Sequence, residues 1–253
     1  MACTQLTFPI FERFDRLIHA ITTTRFDGDD PFNLADHVGP AADRAIERRR
    51  LLCRRLGLDF SKLTVAEQVH RGRVACVDAA NVGRGAEGRS DTIAGCDGLV
   101  TAEVYTPLLT LSADCPLVLI YDPRRHAIAN VHASWRALAD RILTNAVGLM
   151  SERFGCQSAD LVAAVGPSAG PCCYQVGDDL VQQLPDDLRP FASSEPRRFD
   201  LWNACRRQLT GAGLSDANIQ TIDLCTICDE RFFSYRRQGS DTGRFALLAA
   251  LGR

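Results

Sequence analysis

A cysteine and a histidine facing each other across a β-hairpin can form either a nucleophile or a metal site. One segment of this 253-residue sequence has the spacing for such a pair. In the run from Ala113 to His132, Asp122-Pro123 marks a turn, because aspartate suits the first turn position and proline the second. With residues 122–125 as the loop, Tyr121 faces His126, and stepping back along both arms brings Cys115 opposite His132. Directly opposed residues have Cα atoms about 4.5–5.5 Å apart. A slip of one residue would send the two side chains to opposite faces. In the expected register His132 can deprotonate the thiol and make Cys115 a nucleophile. Alternatively, thiolate and imidazole bind zinc, where two or three protein ligands and an open position mark a catalytic centre. Of the five histidines, His19, His37, His70, His126 and His132, the best third member is His70, which ends a strand in Gln68-Val69-His70. The spacing equally allows Cys115 to be a small core residue and each histidine a hydrogen-bonded polar group.

Other segments carry weaker chemistry. Cys225-Thr226-Ile227-Cys228 is a CxxC without a second pair at zinc-ribbon spacing, and the adjacent Cys172-Cys173 is poorly placed to ligate one metal; both read as structural thiols. Gly166-Pro167-Ser168-Ala169-Gly170-Pro171 is a turn after a strand, whose amides would suit a phosphate or carboxylate or simply form a loop. Arg236, Arg237 and Arg244 are planar donors suited to oxyanions, or else surface arginines.

The elements that must position these residues follow from periodicity. Pro40 followed by Ala41 to Leu56 predicts a helix stopped at Gly57. Its runs Arg48-Arg49-Arg50 and Arg54-Arg55 are expected on a solvated face. Val65 to His70 and Val74 to Asp78 read as two strands about the turn Arg71-Gly72-Arg73, and 82–96 as an exposed loop. Leu108 to Leu111, Leu117 to Tyr121 and Ala127 to Val131 are strands. From Trp135 to Met150 apolar residues recur at helical spacing, with Ser134 as the cap and Gly155 as the stop. Leu161 to Val165 predicts a strand, Val176 to Leu184 a helix, Leu201 to Leu209 a helix capped by Asp200, and Ile219 to Leu224 a strand. Short strands and helices without strict βαβ alternation give an α/β fold of the α+β type with mixed sheets.

The bulk numbers exclude several functions. A net charge of −2 argues against a nucleic-acid partner. Lys62 is the only lysine among the 29 basic residues, a compositional bias. No run reaches the roughly 18 apolar residues of a membrane span, and Met1 to Gln5 shows no secretory signal, so the expected location is cytoplasmic. Eleven cysteines, an odd number in a long chain, read as reduced thiols, with Cys3, Cys53, Cys76, Cys156 and Cys205 in the core.

Taken together, the residues resemble a family. Gln68-Val69-His70, Asp97-Gly98-Leu99-Val100-Thr101, Ala113-Asp114-Cys115-Pro116, His132-Ala133-Ser134-Trp135-Arg136, Gly166-Pro167-Ser168, Cys225-Thr226 and Phe233-Ser234-Tyr235-Arg236-Arg237 to Thr242-Gly243-Arg244 occur in the order seen in the YfiH family. That family is also labelled laccase-domain or polyphenol oxidase-like, purine nucleoside phosphorylase and peptidoglycan editing factor. The resemblance runs from about Ile18 to Arg244 and implies a single domain over 1–253, a YfiH-like sandwich of mixed sheets layered with helices. It also implies a zinc site at His70, Cys115 and His132, with copper as the alternative occupant. The implied activity is phosphorolysis of adenosine, inosine and 5′-methylthioadenosine, with an adenosine deaminase side activity. Thr24-Arg25 and Phe32-Asn33-Leu34 resemble two further family motifs. The sequence departs from the pattern at Ser134 and Ala137, where the family has glycine, at Gln175, where it has glutamate, and at the shortened Phe26-Asp27-Gly28-Asp29.

On this reading Cys115, Asp114 and Arg25 are the catalytic residues, with Asp114 orienting a ligand histidine or acting as acid or base. Asn33, Arg236 and Ser168 contact substrate, and Arg25 and Arg236 hold phosphate. The partners are a purine nucleoside and phosphate, the chain acting as a monomer or homodimer. The rival readings are a cysteine amidase with Cys115 as nucleophile, a copper polyphenol oxidase and a zinc-stabilised binding module. A multicopper centre is excluded, because five scattered histidines form no His-x-His pair.

Overall fold

The computed structural model describes residues 5–194 and 196–253. Strand β1 (Gln5–Leu6) pairs with β2 (Leu17–Thr22), and helix α1 (Ala45–Arg55) follows. Next come β3 (Thr64–Val65), β4 (Val74–Cys76), β5 (Gly98–Thr101), β6 (Leu108–Ser112), β7 (Leu117–Asp122) and β8 (Ala127–His132). Helices α2 (Trp135–Ala139) and α3 (Ile142–Phe154) precede β9 (Val162–Val165), α4 (Asp178–Gln183) and α5 (Leu201–Gly211). The chain ends through β10 (Ile219–Thr221), α6 (Tyr235–Gln238) and β11 (Phe245–Leu251).

Two mixed sheets form, ordered β1-β2-β11-β6-β3 and β10-β9-β7-β8-β5-β4. Side chains alternate across a strand, so each central strand serves two cores. In β7, Leu117, Leu119 and Tyr121 face the other sheet and meet Phe245, Leu247 and Ala249 of β11. Val118 and Ile120 face the opposite way, onto Leu143, Ala146 and Met150 of α3 and Leu209 of α5. Ala246, Leu248 and Ala250 cover the outer face of the five-stranded sheet together with Leu52 and Cys53 of α1. The result is helix, sheet, sheet, helix. Asn130 pins the two sheets: it donates to Leu108 O and Leu247 O at 2.9 Å and accepts from Thr110 Oγ1 at 2.6 Å. A buried amide with partners on its donor and acceptor sides fixes register, its hydrogen bonds offsetting the cost of desolvation.

Several expectations are corrected. The strand expected over Val65 to His70 ends at Val65, and residues 66–73 cross from β3 to β4 in the other sheet; the second strand is shorter than expected, Val74–Cys76. The helix expected from Trp135 to Met150 is broken between α2 and α3, where Arg141 takes φ 64°. The caps are as expected: Ser134 accepts from Ala137 N, Asp200 from Asn203 N, and Gly155 ends α3 with φ 69°. The loop over 82–96 is irregular but partly buried, with Ala86, Ile93 and Cys96 in the cores. Arg48 and Arg49 are not solvated; each is 2% exposed. Arg48 binds Asp29, Asn33 O and Ala41 O, and Arg49 binds Leu34 O, Gly85 O and Asp36. Cys53, Cys156 and Cys205 are buried and Cys76 half-buried, while Cys3 lies outside the described residues. Among the described residues no helix is long and apolar enough to cross a membrane.

Candidate active site

Three polar side chains converge at one end of the two sheets. His70 sits on the crossing from β3 to β4, Cys115 on the crossing from β6 to β7, and His132 ends β8. One donor atom from each lies within 4.8 Å of the others. The hairpin expected to bring Cys115 and His132 together does so by a different register. Leu117 pairs with His132 and Asp122 with Ala127, two residues from the expected pairing. Asp122 Oδ1 accepts the amides of Arg124 and Arg125, and His126 takes φ 51°, so the loop is 123–126. An even slip preserves the face of every side chain. Cys115 therefore reaches His132 from the turn before β7, not from a position opposite it.

That turn is tightly held. Asp114 has φ 100°, an unfavourable backbone for a residue with Cβ. Its carboxylate accepts from Thr226 Oγ1 and from Arg236 N, both at 2.6 Å, and its carbonyl accepts from Ala169 N at 2.7 Å. Ser112 Oγ donates to Cys115 O at 2.7 Å. Both Asp114 oxygens are thus occupied in fixing the loop that presents Cys115, which makes Asp114 a clamp in this geometry.

Asp97 organises the two histidines. It is fully buried and lies just before β5, beside the end of β8, where His132 N donates to its carbonyl at 2.7 Å. Its Oδ1 accepts from His70 N at 2.9 Å and from His132 Nδ1 at 2.8 Å. Its Oδ2 accepts from Val69 N at 2.9 Å and Arg71 N at 3.0 Å. Burial alone would raise its pKa, but His132 and the amides of Arg71 and Val69 bring it below the usual carboxylate range. The carboxylate therefore stays ionised, holds His70 in its φ 60° turn and leaves His132 Nε2 facing Cys115.

Burial likewise raises the Cys115 thiol, yet the two histidines outweigh it and bring its pKa down to about 6. In the reciprocal direction, burial lowers His132, while Cys115 and Asp97 raise it to about 9. The two shifts run in the direction that favours a thiolate–imidazolium pair. The His70 and His132 rings meet edge-on with centroids 4.9 Å apart.

These groups form one wall of a cavity of about 470 Å³, within the usual range for small-molecule sites. Trp135, Tyr174 and Leu111 supply apolar surface, and Arg49, Arg236 and Arg244 bring positive charge. Arg236 stacks over the Tyr174 ring at 5.0 Å and donates to Gln175 O at 2.7 Å.

The other predicted site residues lie elsewhere. Arg25 is exposed, pairs with Asp30 at 2.8 Å and does not line the cavity. Asn33 is fully buried; it accepts from Ala35 N and Arg244 N and donates to Ala35 O, Val38 O and Pro40 O, shaping the loop that carries Asp36 and His37 to the cavity. Ser168 is buried outside the cavity and accepts from Trp202 Nε1 at 2.7 Å. The Gly166 and Ser168 amides are spent on Leu117 O and Leu224 O, so that turn is no anion cradle. Ser134 lines the cavity as the cap of α2, a bond glycine could not make, whereas Gln175 is exposed. Sequence reasoning missed Arg49, hidden in a basic run, and Asp97, for which the signal was an aspartate ahead of a buried strand.

A sandwich of two mixed sheets with a Cys/His/His centre between its crossings defines the class. The family described as "Multi-copper polyphenol oxidoreductase laccase" matches residues 19–252. The chain belongs to that family. It is 34% identical over 244 residues to purine nucleoside phosphorylase YlmD of Geobacillus stearothermophilus, covering 91% of this chain and 88% of that one. It is 32% identical over 240 residues to adenosine deaminase RL5 of an unknown prokaryotic organism, covering 90% and 91%. The crystal structure of Bacillus licheniformis hypothetical protein YfiH superposes with a TM-score of 0.90 at 28% identity, covering 99% of this chain and 97% of that one.

The donor chemistry fits a metal. One thiolate and two imidazoles, one of them with its far nitrogen on a carboxylate, form a three-ligand set of the kind that leaves zinc an open position.

Proposed function

We propose that the chain is a purine nucleoside phosphorylase, cleaving the glycosidic bond of adenosine, inosine or 5′-methylthioadenosine with inorganic phosphate. The observation that carries this reading is the convergence of His70, Cys115 and His132 on a cavity whose lining also includes Arg236 and Arg244. The names of the relatives support the substrate class. Zinc held by the three side chains would act as a Lewis acid toward an oxygen of substrate or phosphate. Asp97 fixes the tautomer and orientation of His132. Arg236 and Arg244 seat the phosphate: Arg236 is held by Gln175 O, and Arg244 is placed by Asn33 and by its bonds to Thr242 O and Gly243 O. Trp135 and Tyr174 offer flat surfaces for the base.

A second reading rests on the same geometry without metal. Cys115, His132 and Asp97 have the order of a thiol nucleophile, its base and an orienting carboxylate, which suits amide hydrolysis. The test is release of free base from the three nucleosides with and without phosphate, on protein whose zinc and copper are quantified. Phosphate-dependent release by the zinc form supports phosphorolysis; a metal-free thiol that alkylates readily and turns over only amides supports the alternative.

A further inference from the structure

Outside the cavity, the structure gathers two cysteine pairs that the sequence separates. The turn at 171–173, closed by Cys173 N and Tyr174 N on Gly170 O, points the adjacent Cys172 and Cys173 to one side. Cys225-Thr226-Ile227-Cys228 turns back on itself, with Cys228 N and Asp229 N both donating to Cys225 O. The four sulfurs lie within 4.8 Å of one another; Cys228 is 3.2 Å from Cys173 and 3.8 Å from Cys172. We propose that Cys172, Cys173, Cys225 and Cys228 bind a structural zinc ion.

Three observations carry the assignment. Tetrahedral zinc with bonds of about 2.3 Å has sulfurs about 3.8 Å apart, close to the spacing here, whereas a disulfide needs about 2.0 Å. All four are free thiols. Gly170 N donates to Cys225 Sγ at 3.2 Å, a bond that favours thiolate over thiol.

The site would fasten one wall of the cavity. Cys173 adjoins Tyr174, which lines the cavity, and Gln175, whose carbonyl holds Arg236. Cys225 adjoins Thr226, which donates to Asp114, and Arg237 donates to the carbonyls of Thr226 and Ile227. The ion thus cross-links the segment carrying Tyr174 to the segment carrying Thr226, across 56 residues of chain.

The test is metal content and spectroscopy of the full chain purified without oxidation. Cys115→Ala should still retain one zinc that survives desalting, and adding Cys225→Ser and Cys228→Ser to that variant should lose it and lower the melting temperature. In the wild-type chain, cobalt replacing zinc should show the intense thiolate charge-transfer and tetrahedral bands of four sulfur ligands, a signature that a Cys/His/His site does not give. The proposal is overturned if the cobalt spectrum shows no four-sulfur site. It is equally overturned if the four thiols alkylate freely in native protein, or if the intact mass shows them paired as disulfides. None of these readouts depends on the reaction proposed above.

Discussion

Asp97→Asn probes the buried anchor of the site. The carboxylate accepts four N–H groups in two pairs: His70 N and His132 Nδ1 on one oxygen, Val69 N and Arg71 N on the other. An amide keeps one oxygen and replaces the second with a donor, so one pair must be lost whichever way it turns. Hydrogen bonds to a charged acceptor contribute about 1.5–3 kcal/mol each, so losing two costs about 3–6 kcal/mol, a large part of a domain's stability. If the amino group faces Val69 and Arg71, the His70 turn detaches. If it faces His132, that ring becomes an acceptor at Nδ1 and its proton moves to Nε2, the nitrogen needed at Cys115. Either outcome lowers zinc affinity, by the roughly 10–100-fold typical of a lost supporting partner. Urea unfolding of the metal-free protein reads the first quantity, and zinc titration against a competing chelator reads the second. An unfolding shift under about 1 kcal/mol together with unchanged zinc affinity would refute the role given to Asp97.

Arg236→Met should raise the phosphate KM and lower kcat/KM by about 10–100-fold, the loss of one charge-assisted contact; a phosphate-independent defect would remove Arg236 from the phosphate seat. Arg48→Leu leaves Asp29 without its buried partner and should cost about 3–5 kcal/mol in urea unfolding, whereas Arg25→Leu, at an exposed pair, should cost under about 1 kcal/mol. His19 is pushed down to about 4 by burial between Phe8 and Phe11, accepting from Phe8 N. From its ordinary 6.5 down to about 4 the unfolded chain binds the extra proton. The stability present above 6.5 is therefore lost as pH falls through that window, by up to about 3 kcal/mol. His19→Gln should flatten the dependence measured by unfolding at pH values across this window; an unchanged slope would exclude His19 as its source.

What could be read from the sequence divides along physical lines. Strands β7 and β8 and the caps at Ser134, Gly155 and Asp200 were legible because turn and cap chemistry is local. The pairing of Cys115 with His132 was legible only because the register differed by an even step, which keeps faces and moves positions. Strand β11 was not legible: Phe245–Leu251 is buried on both faces and therefore shows no alternation. The break at Arg141 was hidden because a left-handed residue there is not glycine. Arg48 and Arg49 read as solvated because their acceptors are carbonyls and aspartates distant in sequence. The CxxC at Cys225–Cys228 lacked a second pair at matching spacing, since folding rather than sequence brings the adjacent Cys172-Cys173 to it.

The most direct test of the account is the phosphate dependence of base release from adenosine by metal-quantified wild-type protein and Cys115→Ala. The account predicts release that saturates with phosphate, yields ribose 1-phosphate in equal amount and disappears in the variant. Release indifferent to phosphate, or a fully active Cys115→Ala protein, would contradict it.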